Sequence, residues 1–241
     1  MRDYRAETEK RVDFIRAVLD DSGAQGVVYG NSGGKDSALV GILCKAACEN
    51  TIGIIMPCGS KINYNEDVED ANAVAVQYGI ETRYIDLLGV SDEIKQSMSS
   101  VVALTKQAMQ NIAPRLRMTV LYAVAASEGL LVAGTGNRSE VHMGYFTKWG
   151  DGAYDFNPIA DLTVTEIREF LSYLGAPRRI IEKAPSAGLF EGQTDEGEMG
   201  VTYKSIDDYL LNGECDPGEL AKISRLHTAS EHKRNLPAKY E

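Results

Sequence analysis

A glycine- and hydroxyl-rich run near the N-terminus contains the residue types that bind phosphate. It comprises Gly30, Asn31, Ser32, Gly33, Gly34, Lys35, Asp36 and Ser37. Glycines let backbone N–H groups turn toward an anion, serine hydroxyls add donors, and a helix start adds a favourable dipole. Asp36 would repel phosphate unless a cation lay between the two. The run therefore predicts binding of nucleotide phosphates together with a divalent metal ion, most simply Mg²⁺.

The spacing of this run differs from other phosphate-binding motifs. It is not a Walker A sequence, which needs Gly-Lys-Ser or Gly-Lys-Thr, and it is not GxGxxG. A plainer interpretation is a glycine turn capped by Ser32, with Asp36 as an ordinary acid in the first turn of a helix. The apolar segment before the run, the helical pattern after it and its two serines favour phosphate binding.

The elements that must position this run alternate between strand and helix. Short apolar runs predict strands at 26–29, 51–56, 81–85 and 130–133. Amphipathic segments predict helices at 3–20, 37–49, 65–78 and 114–128, and later at 163–174, 203–211 and 216–229. This order predicts an α/β fold, a doubly wound parallel sheet flanked by helices, with a helical C-terminal part.

A second glycine turn, at 134–140, also follows a predicted strand. Ligands of such sheets bind beyond the carboxyl ends of the strands, where the strand order reverses. We therefore expect the turns 30–37 and 134–140 to serve one site. The segment 186–202 is rich in Gly, Glu and Asp, and we expect it to be a mobile loop that closes over a substrate.

Composition limits the classes of partner. The 241 residues carry a net charge of −10, which argues against a broad grip on nucleic acid. No apolar stretch is long enough for a membrane helix, and the charged N-terminus does not resemble a signal peptide, so we expect a cytoplasmic protein. The four cysteines form no CxxC pair, and we expect buried, reduced thiols.

Ordered motifs across the chain point to a family. Ser32 to Ser37 resembles the SGGxDS signature of the N-type ATP pyrophosphatase (PP-loop) superfamily, whose fold is adenine nucleotide α-hydrolase-like. Together with the segments 134–140, 144–152, 157–162, 185–189, 192–196 and 231–234, the sequence resembles ammonia-dependent NAD synthetase from about residue 10 to 238.

The resemblance implies ATP-dependent amidation of deamido-NAD by ammonia through an adenylated intermediate, with release of AMP and pyrophosphate. It implies ATP contacts from 30–37, Thr135 and Ser186, and Mg²⁺ held by Asp36 and Glu140. Deamido-NAD would contact Arg115, Lys148, Asp155, His232 and Lys233. Asp36, Glu140 and Lys148 would act in catalysis.

Two positions depart from the family's pattern. A lysine that reaches ATP is replaced by Val164, so that either a nearby cation such as Arg168 or Lys183 substitutes or triphosphate binding is weaker. Lys35 stands where relatives usually have an apolar residue, and its ammonium could face solvent or phosphate. Two alternatives stay open: another PP-loop amidotransferase, and an ATP-sensing module without turnover.

The resemblance also predicts how the protein is organised. We expect residues 1–241 to form one synthetase domain without a glutaminase domain, which would need its own cysteine nucleophile. The nitrogen source would be free ammonia, or ammonia from a separate glutaminase. A homodimer with substrate bound near the subunit interface is also expected.

Overall fold

The computed structural model describes residues 2–59, 65–183 and 194–240. Its sheet has four parallel strands in the order β3-β2-β1-β4. These are β1 (Val27–Gly30), β2 (Thr51–Ile55), β3 (Glu81–Tyr84) and β4 (Leu131–Ala133). The chain runs outward from β1 to β3 and then returns to the other side of β1, so the strand order reverses between β1 and β4. The predicted fold class is confirmed.

The described residues form seventeen helices and strands, and four of the six helices in the first half were predicted. The six are α1 (Tyr4–Ser22), α2 (Lys35–Ala47), α3 (Glu66–Tyr78), α4 (Leu88–Ser99), α5 (Lys106–Gln110) and α6 (Ile112–Glu128). Helix α2 begins two residues earlier than expected. The apolar period did not predict α4 or α5, because exposed residues interrupt it.

The second half is helical, as predicted. It contains α7 (Arg138–Met143), α8 (Val164–Leu174), α9 (Arg178–Glu182), α10 (Asp195–Met199), α11 (Tyr203–Asn212), α12 (Pro217–Ala229) and α13 (Glu231–Arg234). The expectation of a mobile loop over 186–202 is wrong at 195–199, which form α10 with Asp195 and Met199 buried. Residues 184–193 lie outside the described residues, and with them the predicted ATP contact Ser186.

Helices cover both faces of the sheet. Val27 and Tyr29 point into a core shared with α1, α2 and α8, whereas Val28 points to the opposite face, toward α6. This alternation follows from the two-residue period of a strand and requires β1 to be apolar on both sides. A third apolar cluster joins α7 and α8 to the C-terminal helices.

None of the helices within the described ranges has the length and apolarity needed to cross a bilayer. The four cysteines are free; Cys44 and Cys58 are buried, and Cys48 and Cys215 are half-buried.

Candidate active site

The phosphate loop leaves the tip of β1 and is held by its neighbours. The N–H of Asn31 donates to the Ile54 carbonyl at 2.9 Å, and its side-chain amide donates to the Ala71 carbonyl at 3.2 Å. Gly33 has φ +74°, and a Cβ there would lie 2.2 Å from the backbone oxygen of Asp67. Only glycine fits this close crossing over the start of α3.

Helix α2 presents its N-terminus to a cavity of about 680 Å³. Gly34 is the N-cap and supplies no side-chain hydrogen bond to the first turn. The first N–H groups of a helix lack intrahelical partners, so they can donate to an anion. The Ser32 and Ser37 hydroxyls lie 3.1 Å apart beside them. Every residue of 30–37 except Gly33 lines this cavity.

Asp36 and Glu140 meet at this cavity although 104 positions separate them in the sequence. Asn137 links them: its side-chain amide donates to Asp36 Oδ1 at 3.0 Å, and its backbone N–H donates to Glu140 Oε2 at 3.1 Å. Asn137 also caps α7, because its side-chain oxygen accepts the Glu140 N–H at 2.9 Å. The two glycine turns therefore share one site, as the strand order predicted.

The electrostatics of the acids indicate a site that attracts a cation. Burial and the neighbouring Asp36 carboxylate raise the pKa of Glu140 well above its ordinary value. Burial by itself would lower the pKa of Lys35, but Asp36 and Glu140 outweigh it and raise that pKa. Two carboxylates on separate loops are a donor set that Mg²⁺ accepts when phosphate oxygens and water complete its shell. No cluster of three or more His, Cys, Asp or Glu in the described ranges could hold a metal alone.

The other predicted ATP contacts differ in position. Thr135 lines the cavity at the tip of β4. Val164 does not: it is 1% exposed in the apolar cluster around α7 and α8. Of the two substitute cations, Lys183 lines the cavity, with Nζ 3.5 Å from the Gly33 carbonyl oxygen. Lys183 is also paired with Asp67 at 2.7 Å and Asp70 at 2.6 Å, whereas Arg168 lies away from the cavity wall.

Of the residues predicted to bind deamido-NAD, only Lys233 lines the cavity, and it donates to the carbonyls of Gly144 and Phe146. Lys148 Nζ instead donates to the His232 carbonyl. Arg115 is exposed and donates to the Lys148 carbonyl at 3.4 Å.

The remaining two predicted contacts are also outside the cavity wall. His232 is exposed. The Asp155 carboxylate accepts from the Val132 N–H at 2.8 Å and from the Tyr122 hydroxyl at 3.2 Å. The structure of one chain therefore does not bring Lys148 to Asp36 and Glu140, and its catalytic role stays a prediction.

Arg117 is a cavity residue that sequence reasoning missed. Its Nε donates to the Met56 carbonyl at 3.0 Å, and burial lowers its pKa. It lines the cavity with Pro114, Met118 and Leu121, at the i, i+3, i+4, i+7 spacing of one helix face. Arg115 lies two positions away and therefore on the opposite face. This periodicity is the signal that could have identified Arg117.

Asp195 was also missed. It is 3% exposed, lines the cavity from the start of α10 and accepts from the Tyr203 hydroxyl at 3.0 Å. No periodic pattern marks this position, since its burial depends on the packing of α11.

A phosphate loop at the tip of β1, facing a carboxylate from the tip of β4, defines a nucleotide-binding α/β protein of the PP-loop class. Comparison with known proteins narrows this class. The chain belongs to the NAD synthase family, which it matches over residues 7–237.

Curated relatives agree with this membership. The chain is 49% identical to the "NH(3)-dependent NAD(+) synthetase" of Carboxydothermus hydrogenoformans, with 97% of this chain and 96% of the relative covered. It is 44% identical to the protein of the same name from Archaeoglobus fulgidus, with 97% and 96% covered.

Solved structures agree as well. "NMN synthetase from Francisella tularensis" superposes with a TM-score of 0.94 at 36% identity, covering 100% of this chain and 99% of that one. "NH3-dependent NAD synthetase from Campylobacter jejuni" gives 0.82 at 33% identity, with 100% of both chains covered.

Proposed function

We propose that this chain catalyses the ATP-dependent amidation of deamido-NAD to NAD with ammonia. The observation that carries the proposal is the convergence of the phosphate loop, Asp36 and Glu140 on one cavity at the strand-order reversal. Family membership supports the choice among PP-loop enzymes. It disfavours the alternative of a PP-loop amidotransferase from another family.

The reaction has two steps. An oxygen of the nicotinate carboxylate attacks the α-phosphorus of ATP, and the bond to the pyrophosphate oxygen breaks, leaving an acyl adenylate. Ammonia then attacks the carbonyl carbon, loses a proton and expels AMP, which forms the amide. The first step is needed because a free carboxylate has no good leaving group.

The chain's own groups stabilise charge in the first step. The N–H groups of α2 and the Ser32 and Ser37 hydroxyls face the cavity where phosphate charge would develop. Arg117 adds positive charge to the same wall, where the ammonium of Lys183 is paired with Asp67 and Asp70. Asp36 and Glu140 would hold Mg²⁺, which when bound neutralises negative charge on the phosphates.

We further propose that free ammonia is the nitrogen source, either directly or from a separate glutaminase. The names of the curated relatives, NH(3)-dependent synthetases, support this. That residues 1–241 form a single synthetase domain and act in the cytoplasm stays a prediction from sequence.

The exposed apolar surface supports a homodimer. A group of large apolar side chains within residues 84–109 is exposed next to α6: Tyr84, Ile85, Leu88, Val90, Met98, Val101, Val102 and Met109. Large contiguous apolar patches mark interfaces, and the closeness of these residues in sequence supports such a patch here. Arg115, Lys148 and His232 lie outside the cavity of one chain. A second subunit near α6 would form with them a site for the acid substrate.

A second candidate is amidation of the corresponding mononucleotide. The fit to the NMN synthetase structure, at a TM-score of 0.94, favours it. The chemistry at the carboxylate would be unchanged, because only the adenylyl half of the substrate differs.

One assay tests both candidates and the non-catalytic alternative. Purified protein is given ATP, Mg²⁺ and ammonium with either deamido-NAD or nicotinic acid mononucleotide, and the amide product is quantified by chromatography. We expect a higher kcat/KM with deamido-NAD. A higher value with the mononucleotide would establish the second candidate, and tight ATP binding without either product would establish the sensor.

A further inference from the structure

Lys35 is a charged side chain held inside the proposed active site. It opens α2, is 4% exposed and lines the cavity. Its Nζ lies 2.8 Å from Asp36 Oδ2 and 5.8 Å from the ring centroid of Tyr203. Of the two positions that the sequence left open for this ammonium, the solvent-facing one is wrong.

The carboxylates of Asp36, Glu140 and Asp195 favour the charged form of this ammonium. Besides its contact with Asp36, Lys35 interacts electrostatically with Glu140 and Asp195. Asp36 and Glu140 are joined through Asn137, and Asp195 is fixed by the Tyr203 hydroxyl. Asp36 thus carries the ammonium on Oδ2 and Asn137 on Oδ1, so a metal ion that binds Asp36 must compete with them.

We propose that Lys35 is an internal counter-cation that shares Asp36 with the divalent metal ion. The ammonium holds Asp36 before metal binds, and it moves to the nucleotide phosphates when the metal takes Asp36. This rests on the proposed function, in which Asp36 and Glu140 bind the metal.

The chemistry of lysine suits this exchange. Its charge is compact, sits on a flexible four-carbon stem and carries three rotatable donors, so it can exchange a carboxylate partner for a phosphate oxygen nearby. A divalent ion competes better for the carboxylates when phosphate oxygens complete its shell. Metal binding is therefore weak before the nucleotide arrives and strong afterwards.

The exchange also bears on the position that Val164 occupies. Val164 is buried among apolar side chains and cannot contact ATP. Lys35 supplies a cation from the phosphate loop itself, whereas Lys183 is already paired with two aspartates.

The test measures metal binding directly, with Mn²⁺ as the probe and electron paramagnetic resonance of the free ion as the readout. Wild type, Lys35→Met, Lys35→Gln and Lys35→Arg are titrated with and without an α,β-methylene analogue of ATP. Lys45→Met is the control, because Lys45 lies at the other end of α2 and pairs with Glu49. Thermal unfolding establishes that each variant is folded.

We expect the two neutral variants to bind Mn²⁺ about tenfold tighter than wild type without nucleotide, within the usual range of coupling between ligands. With the analogue present, the difference in Mn²⁺ affinity between the neutral variants and wild type should become smaller. The KM of the neutral variants for ATP should rise. Lys45→Met should behave as wild type, and Lys35→Arg, which keeps the positive charge, should not gain the tighter Mn²⁺ binding of the neutral variants.

Unchanged or weaker Mn²⁺ binding in both neutral variants would overturn the role of Lys35. Asp36→Asn separates that failure from a failure of the proposed metal site. Loss of Mn²⁺ binding in Asp36→Asn with no effect of the neutral Lys35 variants overturns only the present inference. Unchanged Mn²⁺ binding in Asp36→Asn overturns both.

Discussion

Two groups of predicted functional residues contrast sharply in this structure. The groups assigned to ATP and metal converge: the phosphate loop, Thr135, Asp36 and Glu140 share one cavity. Of those assigned to deamido-NAD, Lys233 reaches the cavity, whereas Arg115, Asp155 and His232 are exposed and Lys148 faces the C-terminal segment.

The contrast separates two groups of residues, called half-sites below: one that a single chain brings to the cavity and one that it mostly leaves outside. The tips of adjacent parallel strands bring the ATP group together without help from another molecule. Arg115 of the second group lies on α6, which contacts α4 and α5, and the proposed partner subunit would add a wall there. Adenylation chemistry and recognition of the acid substrate should therefore respond differently to substitution.

The largest effect is expected at the metal pair. Asp36→Asn removes a negative charge from the proposed Mg²⁺ site, and kcat should fall roughly 100- to 1000-fold, as for other losses of transition-state charge stabilisation. Substrate-dependent exchange of pyrophosphate into ATP measures this step. Asp13→Asn, an exposed acid on α1, is the control. Normal exchange in Asp36→Asn would show that the metal assignment is wrong.

The geometry of the phosphate loop should be nearly as sensitive. Gly33 has a positive φ, which alanine adopts only with strain. Gly33→Ala would also place Cβ 2.2 Å from the Asp67 carbonyl oxygen. We expect the free energy of unfolding to fall by about 3–4 kcal/mol, together with ATP affinity.

The matched control is Gly79→Ala, which has φ +67° but no atom within 4 Å of its Cβ. Gly79→Ala should lower the free energy of unfolding by only about 1–2 kcal/mol, the cost of the left-handed backbone conformation for alanine. Urea unfolding compares the two variants. Equal losses of unfolding free energy in the two variants would mean that the Gly33 backbone does not pass closely over Asp67.

Two arginines on opposite faces of α6 test the boundary between the half-sites. Arg117→Met should lower kcat/KM for ATP about 10- to 100-fold, the range for a lost hydrogen bond to a charged group. Arg115→Met should keep kcat/KM for ATP within about threefold of wild type, as we expect for an exposed side chain. It should instead change kcat/KM for the acid substrate. Steady-state kinetics with each substrate varied in turn measures both. A similar loss for ATP in Arg115→Met would contradict the division.

The apolar surface should control assembly. Val101 is 78% exposed, and Val101→Glu places a charge on the proposed interface. Its dimer dissociation constant should rise at least about tenfold, as for moderate interface residues. Sedimentation equilibrium measures it, with Val76→Glu on α3 as the control at another exposed valine. If wild type itself sediments as a monomer, the homodimer prediction is wrong.

The smallest effect concerns stability at acidic pH. Burial and the neighbouring His227, whose ring stacks at 4.1 Å, lower the pKa of His142 to about 4. The folded state prefers the neutral ring. The contribution of His142 to the free energy of unfolding is therefore complete above about pH 6.5 and is lost as the pH falls toward 4.

Because His142 is only half-buried, we expect a loss of about 1–2 kcal/mol over that range rather than the full linkage value. His142→Gln should flatten the pH profile of the unfolding free energy, measured by urea unfolding between pH 4 and 7. His232→Gln, at an exposed histidine, should not change the slope. A wild-type profile without slope would contradict this account.

Much of the fold followed from local patterns. Apolar runs and amphipathic periods predicted the four strands and seven helices to within a few residues, because burial imposes these periods on the sequence. The helix α4 was missed because exposed residues interrupt its apolar period, and α10 was missed because its five residues are too few for a period to show. Residue types and glycine spacing also predicted the phosphate loop, since few residues satisfy its backbone and charge requirements.

The sequence by itself determined which residue types could bind phosphate and metal, and that parallel strand tips would present them together. Only the tertiary structure decided which side of each helix faces the cavity, and so selected Arg117 over Arg115. It also turned Lys35 inward and buried Val164 among apolar side chains. A motif specifies composition and spacing along the chain, whereas orientation depends on packing against residues that are distant in sequence.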